Sequence, residues 1–135
     1  MTVRVRYRFV PQISSDALEA RDLGNAFYEV VSDLMTEGGS WKAIVPAGSV
    51  NVEIPFPGIT SASFLVVRTT SVDPTLPPTT ITLRKNSTAG ENIDITPFGN
   101  KEGLLVLTTS GITAVYASNA SSSTDMQLTF FVAGV

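Results

Sequence analysis

The chain has 135 residues, nine basic and twelve acidic side chains for a formal charge of −3, 43% hydrophobic residues, and neither histidine nor cysteine. One domain of this length buries enough apolar surface to fold without staples. The composition excludes disulfides, thiolate and imidazole metal sites, and Ser-His-Asp or Cys-His triads. High hydrophobicity with 16% charge argues against disorder, and the mild acidic balance argues against general affinity for nucleic acid.

In chain order, VRVRYRF places Val3, Val5, Tyr7 and Phe9 on one face of a strand and Arg4, Arg6 and Arg8 on the other. These arginines stand where a signal peptide needs its apolar stretch, and no later run approaches the roughly 20 residues of a membrane span, so an unexported, non-membrane chain is expected. Leu23, Phe27, Val30 and Leu34 recur at helical spacing behind Asp16 and Glu19, which resemble a capping box, so one helix is expected over residues 15–34. Gly24 opposes that helix, and Phe27 to Val31 read equally well as a strand.

Gly38-Gly39 reads as a break, after which every segment is β. Lys42–Val45 is a short strand. Val50, Val52, Ile54 and Phe56 alternate along the next, which Pro55 confines to a sheet edge or to a strand end. Phe64 to Val67 is an apolar run suited to a strand covered on both faces, and is the candidate core centre. Pro74, Pro77 and Pro78 mark a stiff loop, and Ile81/Leu83 and Ile93/Ile95 form two strands around a turn. Leu104–Thr109 and Ile112–Ala117 flank Ser110-Gly111, a short hairpin signal. After a serine-rich loop, Met126, Leu128, Phe130 and Val132 share one face of the last strand.

The sum is a mainly β chain: an antiparallel β-sandwich or jelly roll of about eight strands with one helix near its start. It reads as a single domain, 1–135, in which residues 1–39 hold the first strand and the helix and residues 40–135 form the sandwich body.

Few residues invite chemistry. Glu91 and Asp94 near a glycine turn offer oxygen ligands, but the graded series of an EF-hand is absent, and nothing pairs Glu53 or Asp73 with a second acid at glycosidase separation. No phosphate-cradling glycine motif occurs. The reading is therefore non-enzymatic, with no metal and no cofactor. Arg4, Arg6 and Arg8 are candidate partner contacts, weighed against a charged edge strand that deters aggregation. Phe131, opposite the buried face of its strand, is a candidate interface residue. Trp41 and Tyr116 are candidate glycan platforms, with packing the stronger expectation for Trp41. The sequons at Asn86 and Asn119 read as chance occurrences in turns.

WKAIVPAGSVNVEIPF, GITSASFLVVRTT and GLLVLTTSGITAVYASNASSSTDMQLTFFVAGV, with hydrophobic strands and Ser/Asn/Gly turns, are similar in texture to head-decoration and tail-appendage domains of tailed bacteriophages. The resemblance covers most of residues 40–135. It implies an accessory virion protein made in the host cytoplasm, homo-oligomeric with a trimer favoured, and docked on other capsid, neck or tail proteins. The alternative is a carbohydrate- or receptor-binding module.

Overall fold

The structure, a computed structural model, describes residues 3–9, 12–13, 21–22, 28–35, 37–56 and 58–135. These divide into two compact units, Met1–Thr36 and Glu37–Val135. In the first unit β1 (Val3–Phe9) pairs antiparallel with β4 (Tyr28–Met35), and the two-residue strands β2 (Gln12–Ile13) and β3 (Arg21–Asp22) pair with each other.

The helix expected over residues 15–34 is therefore corrected where the chain is described: β3 and β4 occupy part of its span, and no helix occurs among the described residues. The reason is visible in YEVVSDLM. Tyr28, Val30, Ser32 and Leu34 fit a period of two as well as the neighbouring apolar residues fit 3.6, and the aromatic and β-branched content tips the choice toward an extended backbone. Residues 14–20 and 23–27, with the Asp16–Glu19 capping box, lie outside the described residues.

The second unit is an eight-stranded antiparallel sandwich of β5 (Glu37–Val45), β6 (Val52–Ile54), β7 (Ala62–Ser71), β8 (Ile81–Lys85), β9 (Ile93–Ile95), β10 (Gly103–Ile112), β11 (Val115–Asn119) and β12 (Met126–Gly134). One sheet runs β10-β7-β12-β5 and the other β6-β11-β8-β9. The pairs β5/β12, β6/β11, β7/β10 and β8/β9 are nested, as in one long hairpin with its tip between β8 and β9. Rolling that hairpin brings β12 beside β7 and β11 beside β8, which is the jelly-roll winding.

Period-two patterning builds the core. Met126, Leu128, Phe130 and Val132 of β12 are fully buried and meet Leu65 and Val67 of β7 on the same inner face, opposite Ile81 and Leu83 of β8 and Val115 and Ala117 of β11. The apolar run Phe64–Val67 lies in a central strand between β10 and β12, with Leu65 and Val67 in the core, but its outer face is not fully covered among the described residues: Val66 there is only partly buried. Strand β6 is an edge strand that stops at Ile54, immediately before Pro55.

Two local expectations fail. Gly38-Gly39 is not a break: both residues lie within β5, and a Cβ on Gly39 would come within 3.2 Å of the Trp41 ring, so glycine makes room for the indole. Ser110-Gly111 does not close a hairpin, because β10 pairs with β7 while β11 pairs with β6 and β8 in the other sheet. Asn86 fixes that crossing. Its side chain donates to Gly111 O (2.8 Å) and accepts from the Thr113 amide (2.8 Å), so the chain leaves one sheet and enters the next at a set angle.

Candidate functional site

Antiparallel winding sends four connections to one end of the sandwich: residues 46–51, 72–80, 96–102 and 120–125. Asn119, fully buried at the end of β11, ties the first, second and fourth of them together. Its Nδ2 donates to Val45 O (3.1 Å) and Thr124 O (2.8 Å), its Oδ1 accepts from the Ser121 amide (3.1 Å) and more weakly from the Thr79 hydroxyl (3.4 Å), and its backbone amide donates to Ser49 O (2.9 Å). Further bonds run from the Gly48 amide to Ser121 O and from the Val72 amide to Asp125 O, while Asp125 Oδ1 accepts from the Ala47 amide. The loops 46–51, 72–80 and 120–125, which would otherwise move separately, are thereby held as one surface, and 96–102 joins it where the Thr80 hydroxyl donates to Thr96 Oγ1 (3.3 Å). The burial of Asn119 leaves no room for a glycan at that sequon.

This surface is apolar where loops are ordinarily polar. Of the eight large hydrophobic residues exposed among the described residues, Val50, Val72, Leu76 and Phe98 lie in these loops, and Ile44 and Leu104 lie on the strand ends that enter and leave them. Phe98 is 90% exposed and Val50 is 74% exposed. Phe98 opens a tight turn in which Gly99 (φ 59°) and Asn100 (φ 55°) both take the left-handed conformation of a type I′ turn. The Lys101 amide donates to Phe98 O (3.2 Å) and the Phe98 amide to Glu102 O (2.9 Å). Glu102 in turn holds Arg68 of β7. The phenyl ring is thus presented to solvent by a braced hairpin tip. Beside it, Thr70, Ser71, Pro74, Leu76, Pro78, Asn100 and Lys101 line a cleft of about 230 Å³. That is smaller than a typical small-molecule site and suits an inserted side chain.

The proline loop 72–80 is preset by its three fixed φ angles and by Asp73, whose Oδ1 accepts from the Thr75 hydroxyl (2.7 Å) and amide (2.8 Å). These bonds hold the Asp73 carboxyl below its ordinary value of 3.8. A depressed folded pKa means that the contribution to loop order is complete above the unfolded value and is lost as pH falls through the folded one. Following the Thr75 amide by NMR through an acid titration should give a midpoint below 3.8; a midpoint at or above that value would remove Asp73 from this role.

The sequence-predicted residues fall elsewhere. Arg4, Arg6 and Arg8 are in β1, where Arg8 pairs in register with Glu29 and Arg6 with Val31; the partner contacts expected of their side chains lie outside the described residues. Phe131 is 38% exposed on the outer face of the first sheet, edge-on to Phe64 with centroids 5.9 Å apart, in a cross-strand row with Val66 and Val106. Trp41 and Tyr116 are not brought together. Trp41 turns inward, stacked on Phe130 (6.2 Å, 22°) and tilted against Phe56 (5.8 Å), with its indole N–H buried. Tyr116 lies on the outer face of the second sheet between Glu53 and Arg84 in register. The candidate oxygen ligands are engaged or solvated: Asp94 accepts from the Thr82 hydroxyl, Asn92 from Arg84, and Glu91 is exposed.

Phe98 was missed by the sequence reading because its segment, TPFGNKE, is irregular and has no period to set it apart. The available signal was a large aromatic directly before a Gly-Asn turn. No known protein-family model matches the chain, and no curated protein is significantly similar to it. The class defined by the fold alone is a jelly-roll β-sandwich.

Proposed function

We propose that this chain is a non-enzymatic structural protein that associates with itself and docks on a larger assembly, a tailed-phage virion in which it serves as a capsid, neck or tail accessory protein. The observation that carries docking is the braced loop end with Phe98 at its tip. A rigid, exposed aromatic is the usual anchor of a protein interface, since it offers large contact area at little conformational cost. The turn that carries it is held by its own backbone bonds and by the Glu102–Arg68 pair, so the anchor loses little further entropy on binding. The virion setting is supported by the Ser/Asn/Gly-turned texture of residues 40–135 and by the winding, which capsid domains use as lectins also do.

Particles assembled with wild-type chain should carry it through a density gradient, whereas Phe98→Asp should reduce its incorporation at least tenfold with the thermal unfolding curve unchanged. Equal incorporation of both would refute docking through this end. Recovery of the wild-type chain free of particles, with none co-sedimenting, would refute the virion setting.

The carbohydrate-binding alternative keeps one supporting observation. Tyr116 stands in an outward polar ladder in which Arg84 donates to Asn92 Oδ1 (2.7 Å) and to Asn51 Oδ1 (2.8 Å). An aromatic ring flanked by fixed polar groups is a sugar-compatible surface. In this alternative Trp41 no longer contributes, because its ring serves the core.

A further inference from the structure

The two sheets end differently. The edge strands of the second sheet, β6 and β9, are three residues each, which leaves little backbone for another chain to pair with. The edges of the first sheet are nine and ten residues long. Of these, β5 carries the exposed Lys42 near its middle, a charge that resists pairing with a copy of itself. Strand β10, GLLVLTTSGI, has no charge and no proline, and has one neighbour, β7, among the described strands.

The burial pattern of β10 is that of a strand missing a neighbour. Leu105 and Leu107 point inward and pack against the core, yet both remain partly exposed, while Leu65 and Val67 beside them in β7 are essentially fully buried. On the outer face, Leu104 is 55% exposed and Val106 is half-buried. Four consecutive apolar residues are thus partly wet on both faces. Only the far end is guarded: the pairing with β7 shifts register between Thr108 and Ile112, where a bulge turns the strand aside. The open stretch is Leu104–Thr108.

We infer that this stretch is the self-association seam of the protein, pairing antiparallel with the same stretch of a second copy across a twofold axis. The occupant is a second copy because the segment is uncharged and so meets itself without like-charge repulsion, and because an antiparallel strand pair is naturally isologous. The pairing joins two four-stranded sheets into one of eight strands. It also makes the row of Val106, Val66 and Phe131 continuous with its twofold mate, with Phe131 two strands away from the seam. The seam predicts an even-numbered assembly in place of the trimer implied by the phage resemblance. It rests on the self-associating half of the proposed function and is independent of docking through Phe98.

Sedimentation velocity should find wild-type protein as a dimer or a multiple of one. Val106→Lys, which sets two cations in the seam from an outer-face position, should weaken the dimer at least tenfold, with circular dichroism and the melting transition of the monomer intact. Leu104→Lys, at a more exposed position, should do the same if Val106→Lys disturbs folding. Of the amides of residues 104–108, those that point away from β7 should exchange more slowly in the dimer than in either variant. A dimer that both variants leave at full strength, or a trimer, overturns the seam and leaves self-association standing; wild-type monomer at every concentration overturns both. Dissociation by Phe98→Asp would also count against the seam, because that residue lies outside it.

Discussion

Phe130→Ala is expected to destabilise the sandwich by about 3–5 kcal/mol, enough to leave much of the protein unfolded at moderate temperature. Phe130 is fully buried at the centre of β12, paired in register with Trp41 on one side and Val67 on the other. It is also the surface on which the indole stacks. Truncation removes the ring's own burial and the support under Trp41, whose buried N–H has no acceptor among the described residues with which to hold the ring in place. Urea unfolding monitored by tryptophan fluorescence measures both effects, as a lower midpoint and as a native emission shifted to the red. A loss under about 1 kcal/mol with unchanged emission would mean that the two sheets are not packed through this residue.

Asn119→Ala is expected to cost about 2–4 kcal/mol, because it strands several buried polar groups at once and each costs about 1–3 kcal/mol when left unmade. Val45 O and Thr124 O lose their donor, and the Ser121 amide loses its acceptor. Partial rehydration of the opened site limits the sum. The consequence for function is larger than the stability loss alone, since these bonds join the loop of 46–51 to that of 120–125 at the same end of the sandwich as Phe98. Hydrogen exchange should therefore quicken at Gly48, Ser121 and Val72 while the central strands β7 and β12 stay protected. Asn119→Asp separates the terms: it keeps an acceptor for Ser121 but offers no donor to the two carbonyls, so it should loosen the same loops. If Asn119→Ala leaves those amides as slow as in wild type, the loop end is braced by something other than this side chain.

The contrast between what was and was not legible in the sequence follows from where the signal resides. Strands covered by a second sheet announce themselves through alternation or an apolar run, so β8, β9 and β12 were readable from Ile81/Leu83, Ile93/Ile95 and the Met126 series, and β7 from the unbroken run Phe64–Val67. Their assignment to sheets was not, because strand order depends on contacts between segments far apart in the chain. Ser110-Gly111 illustrates this: the dipeptide has hairpin composition, yet the chain crosses between sheets there, guided by Asn86 from 25 residues away. The helix expectation failed where Tyr28 to Leu34 satisfied two periods at once, and local composition broke the tie.

The candidate site was less legible than the fold. Loops lack periodicity, so a functional aromatic such as Phe98 differs from an incidental one only by exposure and by the rigidity of its turn, both three-dimensional properties. Trp41 shows the converse. For this lone tryptophan next to glycines packing was the stronger expectation over a ligand platform, and the glycine at position 39 is there to admit the ring. Even the seam at β10 was written in GLLVLT as ordinary strand sequence, and became notable only once the strand proved to lie at an edge.

Self-association is the central claim, and the absolute mass in solution tests it most directly. Light scattering on the purified chain over a range of concentrations should return a multiple of the chain mass, an even multiple if β10 is the seam. A chain that stays monomeric at every concentration would contradict the account and would turn attention to Tyr116 and its polar ladder as the surface that binds a ligand.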